Sequence, residues 1–407
     1  MEKKRRIWVI SELYYPEETS TGYYMTKIAE GLSSEFEVKV LCAQPSYSKR
    51  GLRAPKKERH NGVDIFRCYS TTLDKNKLLH RVFNLLTISF SIFFNALLYL
   101  RSNDIAFVVT NPPLLPYIIL MVCKIRGAKC IVRIDDVYPD VLYAAGLLKK
   151  NSLAYHQAFD WLTKQLFIRS DHIITLGRDM KELVSRKIND RYEHISIVTN
   201  WADSDLINPM PKEQNALLSD LGLIDKFVVQ WAGNMGYPHE VKSIFEAMIY
   251  LKDHPYIHFL FIGSGSKRAW FETKTKQANI KNVTFLGNRP RNDQQNFLNA
   301  CDIAISSLVK GMVGISVPSR MYNIMAAGKP ILSIGEDNSE LGLVLKEEGI
   351  GWVVPPNNPK EIVRVILFAS ENRNLLFEMG KRARLLAETK YSAKKIINNY
   401  IELFAAL

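Results

Sequence analysis

Cysteine is scarce and scattered in this chain. Five occur in 407 residues (Cys42, Cys68, Cys123, Cys130 and Cys301), an odd number with no C-x-x-C pair among them. That argues against a disulfide framework and a thiolate zinc site, and it fits buried free thiols in a reducing compartment. Helix-turn-helix and zinc-finger spacings are missing, as is an aromatic-basic RNA signature, so nucleic acid is not an expected partner. The N-terminal MEKKRRIWVI turns from basic to apolar, but IWVI is too short for a signal peptide and meets Ser-Glu at once. It reads as a first strand.

Long uncharged runs are also lacking, with one exception. VFNLLTISFSIFFNALLYL, residues 82–100, holds no charge over 19 residues between Arg81 and Arg101. Its length would permit a bilayer span. Asn84, Thr87, Ser89, Ser91 and Asn95 inside it favour a core or interfacial helix, and a helix dipping into the bilayer is the intermediate case.

A length of 407 residues and a hydrophobic content of 47% suit two folded domains. The net charge of +13 is uneven: residues 1–200 hold 30 Lys/Arg against 20 Asp/Glu, and residues 201–407 hold 24 against 21. The basic excess of the first half suits an anionic membrane or an acidic substrate.

Short, nearly continuous apolar runs alternate with helical stretches throughout. The first half gives RIWVIS, EVKVLCA, VDIFRCY, IAFVVTN, KCIVRID, HIITL and ISIVTN; the second gives KFVVQWAG, HFLFIGSG, VTFLG, IAISSL, KPILSIG and GWVVP. Such alternation predicts α/β architecture with parallel sheets covered on both faces, here two doubly wound domains in tandem. The polar, proline-bearing stretch after Asn200 is the expected boundary, giving domains 1–202 and 203–390. The amphipathic 391–407 segment is expected to be a helix that can pack back on the first domain.

Ligands of such sheets bind at carboxyl strand ends, so the loops there are the places to search. In KGMVGISVPSRMYNIMAAGKPIL, a helix is expected over about 320–327, with Ser319 as N-cap and Gly328 as C′ residue. Backbone N–H groups at Ser319, Arg320 and Met321, with the Arg320 charge, would suit a diphosphate; an ordinary capped helix is the alternative. The loop QWAGNMGYPHEV offers Asn234 and His239. FIGSGSKRAW is a Gly-x-Gly turn followed by Lys267 and Arg268, and FLGNRPRND carries Arg289 and Arg291. In the first half, Ser20, Thr21 and Gly22 precede a helix and would either approach the same anion or simply cap. Asp135 and Asp136 end a strand and would either take a hydroxyl proton or hold a sugar hydroxyl, or simply start a turn.

Taken together, these segments resemble the retaining GT-B glycosyltransferases of family 4 over nearly the whole chain. YYPEETSTG, IDDVYPDVL and SDHIITLGRDMKELV carry the resemblance in the first half; IVTNWAD, GNMG, FLFIGSG, VTFLGNRP and VPSRMYNIMAAGKPIL carry it in the second. It implies two Rossmann-like domains facing a cleft, the first binding acceptor and the second binding donor. It implies a nucleotide diphosphate-sugar donor, UDP-linked and N-acetylated or deoxy, and a lipid-linked glycan acceptor in surface-polysaccharide synthesis, as in members resembling N-acetylfucosamine transferases. Location would be cytoplasmic, peripheral at the inner membrane face, and no metal or other cofactor is expected. Asp135, Asp136 and Arg320 would be catalytic. Ser20, Thr21, Gly22, Asn234, His239, Lys267, Arg268, Ser319, Arg320 and Met321 would surround the diphosphate. Gly263, Asn288, Arg289 and Pro290 would meet the base. Asn323 stands where the family often has a ribose-binding glutamate, and Asn234 and His239 stand where it has an Arg-Lys pair. Ile315, eight residues before Asn323, replaces a second family glutamate. His239 would then meet phosphate with a charge that depends on pH. A sugar-nucleotide 2-epimerase and a non-catalytic sugar-nucleotide binding protein share the two-domain plan.

Overall fold

The computed structural model describes residues 4–46, 51–71, 73, 78–148, 153–190 and 192–407. The chain divides into two compact units: Met1–Pro139, Asn151–Thr199 and Ile396–Leu407 form one; Asp140–Lys150 and Asn200–Lys395 form the other. Each is built on its own sheet.

The first sheet holds β1 (Arg6–Ile10), β2 (Glu37–Cys42), β3 (Lys57–His60), β4 (Val63–Arg67), β5 (Ile105–Val109), β6 (Lys129–Arg133), β7 (His172–Thr175) and β8 (Ile195–Ile197), in the order β3-β4-β2-β1-β5-β6-β7-β8. All neighbours are parallel except β3 and β4. β3, KERH, is the strand the hydrophobic pattern misses. It lies at the sheet edge with exposed and half-buried residues alternating, so charge rather than apolar burial is what its sequence shows. The central β5, IAFVV, is buried throughout, as a strand covered on both faces must be. Helix Ala393–Ala406 closes one face of this unit, with Phe404 and Tyr400 against Phe107 at ring distances of 5.2 and 6.0 Å.

The second sheet holds β9 (Phe227–Ala232), β10 (Ile257–Ile262), β11 (Val283–Leu286), β12 (Ile303–Ser307), β13 (Ile331–Ile334) and β14 (Gly351–Val354), all parallel, in the order β11-β10-β9-β12-β13-β14. Its core is aromatic: Phe227, Trp231, Phe259, Phe261 and Phe271 are buried together. The five cysteines of the chain are all free and buried.

Residues 82–100 fall largely within helix Leu78–Tyr99. Among the described residues no helix is long and apolar enough to cross a membrane, so the spanning alternative is set aside. Asn84 and Thr87 are bonded inside the protein. The Asn84 amide accepts from Leu73 N–H at 3.0 Å and donates to Leu73 C=O at 3.0 Å, and Thr71 N–H donates to Thr87 Oγ1 at 3.2 Å.

Candidate active site

The second sheet reverses its winding between β9 and β12, the switch point at which open parallel sheets bind ligands. β9 ends at Ala232 and β12 at Ser307, and the loops that follow are stitched together. Val309 N–H donates to Pro238 C=O at 2.8 Å, and Ser307 Oγ donates to Glu240 C=O at 2.7 Å. The loop after β10 joins them by backbone contact. Gly263 has φ +131°, and a Cβ there would lie 2.2 Å from the Gly233 carbonyl oxygen. Gly265 has φ +139°, and a Cβ there would meet Met235 backbone at 2.5 Å. The Gly-x-Gly turn therefore exists so that one loop can lie directly on another.

Arg320, first residue of helix Arg320–Ala326, reaches into this junction. Its guanidinium sits 4.5 Å from the Trp231 ring centroid, a cation–π contact. Nη2 donates to Asn234 C=O at 3.2 Å and lies 3.3 Å from His239 Nε2. His239 Nδ1 is 2.8 Å from Ser307 C=O, and a carbonyl can only accept. The ring proton is thereby assigned to Nδ1, and Nε2 offers its lone pair to Arg320. Burial, then the Arg320 charge, pushes His239 down to about 3, so the ring is neutral at working pH. This corrects the expectation of a pH-dependent charge on His239.

The Arg320 Nη1 is buried and has no hydrogen-bond partner among the described residues. Burial pulls the Arg320 pKa down to about 10, which still leaves a cation at neutral pH. A buried donor without an acceptor costs on the order of 1–3 kcal/mol. An anionic oxygen at Nη1 would remove that cost, so the donor set fits a phosphate.

Other expected site residues fall into different roles. Lys267 Nζ donates to the carbonyls of Tyr237 at 2.8 Å and His239 at 2.6 Å, with its pKa lowered by burial, so it braces the 233–239 loop beside Arg320. Arg268 is spent on the protein: Nη1 donates to the carbonyls of Gly263 and Leu286, and Nε to Glu272 at 2.7 Å. It secures the ends of β10 and β11, which corrects its assignment to the diphosphate. Ser319 occupies the N-cap position with αR dihedrals and no side-chain capping bond, and Met321 N–H points to Pro318 C=O at 3.3 Å. The expected row of free amides is thus reduced, because Pro318 starts a turn that continues into the helix.

Asn323 is also redirected. It is buried, its Oδ1 accepts from Asp203 N–H at 3.0 Å, and its Nδ2 lies 3.4 Å from Asp203 Oδ2. The amide ties the helix to the 200–208 segment rather than presenting itself to a ribose. The sequence contains one Asp-x-Asp, Asp203 and Asp205. Asp203 is bonded to Arg291 and Trp201, and among the described residues no cluster of His, Cys, Asp or Glu has the arrangement to hold a metal. Of the residues assigned to the base, Gly263 lies at the loop junction. Arg289 pairs with Asp293 at 2.5 Å, and Asn288 and Pro290 are exposed at the loop tip.

In the first unit, Thr19 rather than Ser20 caps helix Ser20–Leu32, taking the Gly22 N–H at 3.3 Å. That amide is not available to an anion. Thr21 Oγ1 does meet Asp135, at 3.3 Å from Oδ2. Asp135 Oδ1 is held at 2.9 Å by Arg133 Nε, and Thr110 Oγ1 accepts from the Asp135 and Asp136 amides at 3.0 and 3.3 Å. Arg133 is itself buried and donates to Tyr400 Oη at 3.2 Å. Asp135 is therefore a held carboxylate, suited to orienting a hydroxyl.

Two features escaped the sequence. Trp231 sits in an apolar strand and reads as core, and nothing in its neighbours shows that Arg320 will cover its ring. A depression lined by Ser307, Met312, Gly335, Glu336 and Ser339 opens at the ends of β12 and β13. Its signal was the GEDNSE turn after KPILSI, a strand-end loop like those already singled out.

Residues 222–386 match the family model described as glycosyl transferases group 1. The probable glycosyltransferase WbjE of Pseudomonas aeruginosa is 30% identical over 367 residues, covering 89% of this chain and 88% of WbjE. The chain belongs to the group 1 glycosyl transferases. A second relative of this glycosyltransferase is the putative colanic acid biosynthesis glycosyl transferase WcaI of Escherichia coli K12, 24% identical with 97% and 98% of the two chains covered. Among solved structures, HepE of Anabaena in complex with UDP and glucose superposes with a TM-score of 0.75 at 14% identity, covering 99% of this chain and 100% of HepE. The architecture is the GT-B fold.

Proposed function

We propose that this glycosyltransferase moves a sugar from a UDP-sugar, N-acetylated or deoxy, to a hydroxyl of a lipid-linked glycan, with retention of configuration. The setting is surface-polysaccharide assembly at the cytoplasmic face of the membrane. The observation that carries the reading is the buried Arg320 Nη1 without an acceptor, placed at the switch point of the second sheet. WcaI is named for colanic acid biosynthesis and HepE was solved with UDP and glucose, which supports the donor and pathway class.

The chemistry follows from that placement. The bond from the anomeric carbon to the β-phosphate oxygen breaks, and a bond to the acceptor oxygen forms. Negative charge grows on the diphosphate, and Arg320 stabilises it through Nη1 while Asn234 C=O, His239 and Trp231 hold the guanidinium still. The acceptor proton passes to the departing phosphate oxygen. Asp135, fixed by Arg133 and Thr21, orients a hydroxyl and needs no basicity of its own. No resident metal enters the scheme.

The test is UDP release from UDP-sugars in the presence of a lipid-linked glycan extract, for the wild type and for Arg320→Ala and Arg320→Lys. Loss of an electrostatic donor of this kind lowers kcat by roughly 100- to 1,000-fold. Lysine should restore part of the rate, because it returns charge without the planar stack on Trp231. Unchanged turnover in Arg320→Ala would remove the proposal, and donor conversion without acceptor would point to an epimerase.

A further inference from the structure

Helix Leu78–Tyr99 is apolar on its outer face as well as its inner one. Its polar Asn84 and Ser89 are buried, together with Ile88, Ile92 and Ala96. Its large apolar side chains face outward: Phe83 is 58% exposed, Phe90 62%, Phe94 64% and Leu98 70%. With Leu86, these positions recur at three- and four-residue steps and form one continuous stripe along the helix. Helix Leu115–Arg126 packs beside it and adds exposed Met121 and Ile125. Monomeric proteins rarely expose a contiguous apolar surface of this extent unless something covers it.

Charge identifies the cover. Neither helix contains an Asp or Glu. Where the two helices end, Arg101, Lys124 and Arg126 are exposed, and Arg126 Nε donates to Leu100 C=O at 2.8 Å, so the basic rim is fixed beside the apolar stripe. An anionic bilayer accepts both parts, apolar side chains into the acyl boundary and cations among the headgroups. A 22-residue helix with one face packed on protein and the other apolar also explains why the run resembles a span by length without being one.

We propose that the outward faces of helices Leu78–Tyr99 and Leu115–Arg126 form the surface on which this protein docks to an anionic lipid bilayer. The proposal deepens the reading of a lipid-linked acceptor, because it names the face that would rest on the membrane holding that acceptor.

The experiment is co-sedimentation of the full-length protein with vesicles of phosphatidylcholine alone and of phosphatidylcholine mixed with phosphatidylglycerol, with no donor or acceptor present. Binding is expected to the anionic vesicles and to weaken with added salt. Phe90→Ser/Phe94→Ser should reduce it by at least about tenfold. Arg101→Gln/Lys124→Gln should reduce binding and flatten its salt dependence. Melting temperatures should match the wild type, since the replaced side chains are exposed. Equal binding by the Phe double variant overturns the proposal, as does a dimer in solution that the same variant dissociates. Since UDP release from soluble donor is read separately, loss of vesicle binding and loss of turnover report on different claims.

Discussion

Arg268 and Arg320 invite comparison. Both are basic residues that open a short helix just beyond the carboxyl end of a strand in the same sheet. Arg268 directs Nη1 to two backbone carbonyls and Nε to Glu272, and it lies 5.7 Å from the Phe285 ring centroid. Arg320 also lies over an aromatic ring, yet one of its two terminal nitrogens is buried with no acceptor among the described residues. The first arginine spends Nη1 and Nε on the protein, and the second keeps Nη1 without an acceptor among the described residues. A group whose hydrogen bonds are all internal contributes to the fold. A buried donor left over on a cation at the sheet's switch point is suited to an anion that arrives from outside.

The comparison can be broken most forcefully at the glycine that lets the two loops meet. Gly263→Ala would place a Cβ 2.2 Å from the Gly233 carbonyl oxygen at a φ of +131°. The expected loss is on the order of 4 kcal/mol, read by urea unfolding, with nucleotide binding lost as well because both loops shift. A stability change under about 1 kcal/mol would mean that the contact is soft.

Arg268→Ala should come next. It leaves the Gly263 and Leu286 carbonyls without their charged donor and removes the Glu272 pair. A loss of about 3 kcal/mol in unfolding free energy is expected, with nucleotide affinity of the folded protein nearly unchanged. The reverse pattern, stable protein and lost affinity, would make Arg268 a ligand residue after all.

The effect that is smallest near neutral pH is a titration. His239 is held near 3 by burial and by Arg320, against an ordinary value of 6.5. Above pH 6.5 the ring is neutral in folded and unfolded chains alike, and it adds no slope. Between pH 6.5 and 3 the unfolded chain takes a proton that the folded chain refuses, so stability falls as pH falls, by up to about 1.4 kcal/mol per unit from this ring. His258, pushed down to about 4 by burial and Lys226, acts in the same direction. His239→Gln should remove the first contribution and keep the second. Acid unfolding curves of the two proteins with equal slopes between pH 6 and 4 would contradict the neutral tautomer.

The pattern of strands was open to reading because both sheets are parallel and covered, so each strand carries its own unbroken apolar run. β3 was hidden by its charge, and its place at an edge is the reason. Loops were harder. Glycines marked the backbone crossings at Gly233, Gly263 and Gly265, yet basic residues beside them looked alike. Which carbonyl each cation meets depends on residues distant in sequence: Leu286 for Arg268, Asn234 for Arg320. Asn323 faced the same difficulty. Its partner Asp203 lies 120 residues away in sequence, and no local pattern announces it.

The most direct test of the central claim is the thermal stability of three proteins, the wild type, Arg320→Ala and Arg268→Ala, with UDP, GDP, ADP and dTDP. A nucleotide at about 100 times its dissociation constant adds roughly 2.7 kcal/mol. One nucleotide, expected to be UDP, should raise the midpoint of the wild type and of Arg268→Ala by similar increments, the latter from a lower baseline. Arg320→Ala should show little or no increment. An Arg320→Ala protein stabilised as much as the wild type would contradict the assignment of Arg320 to the diphosphate.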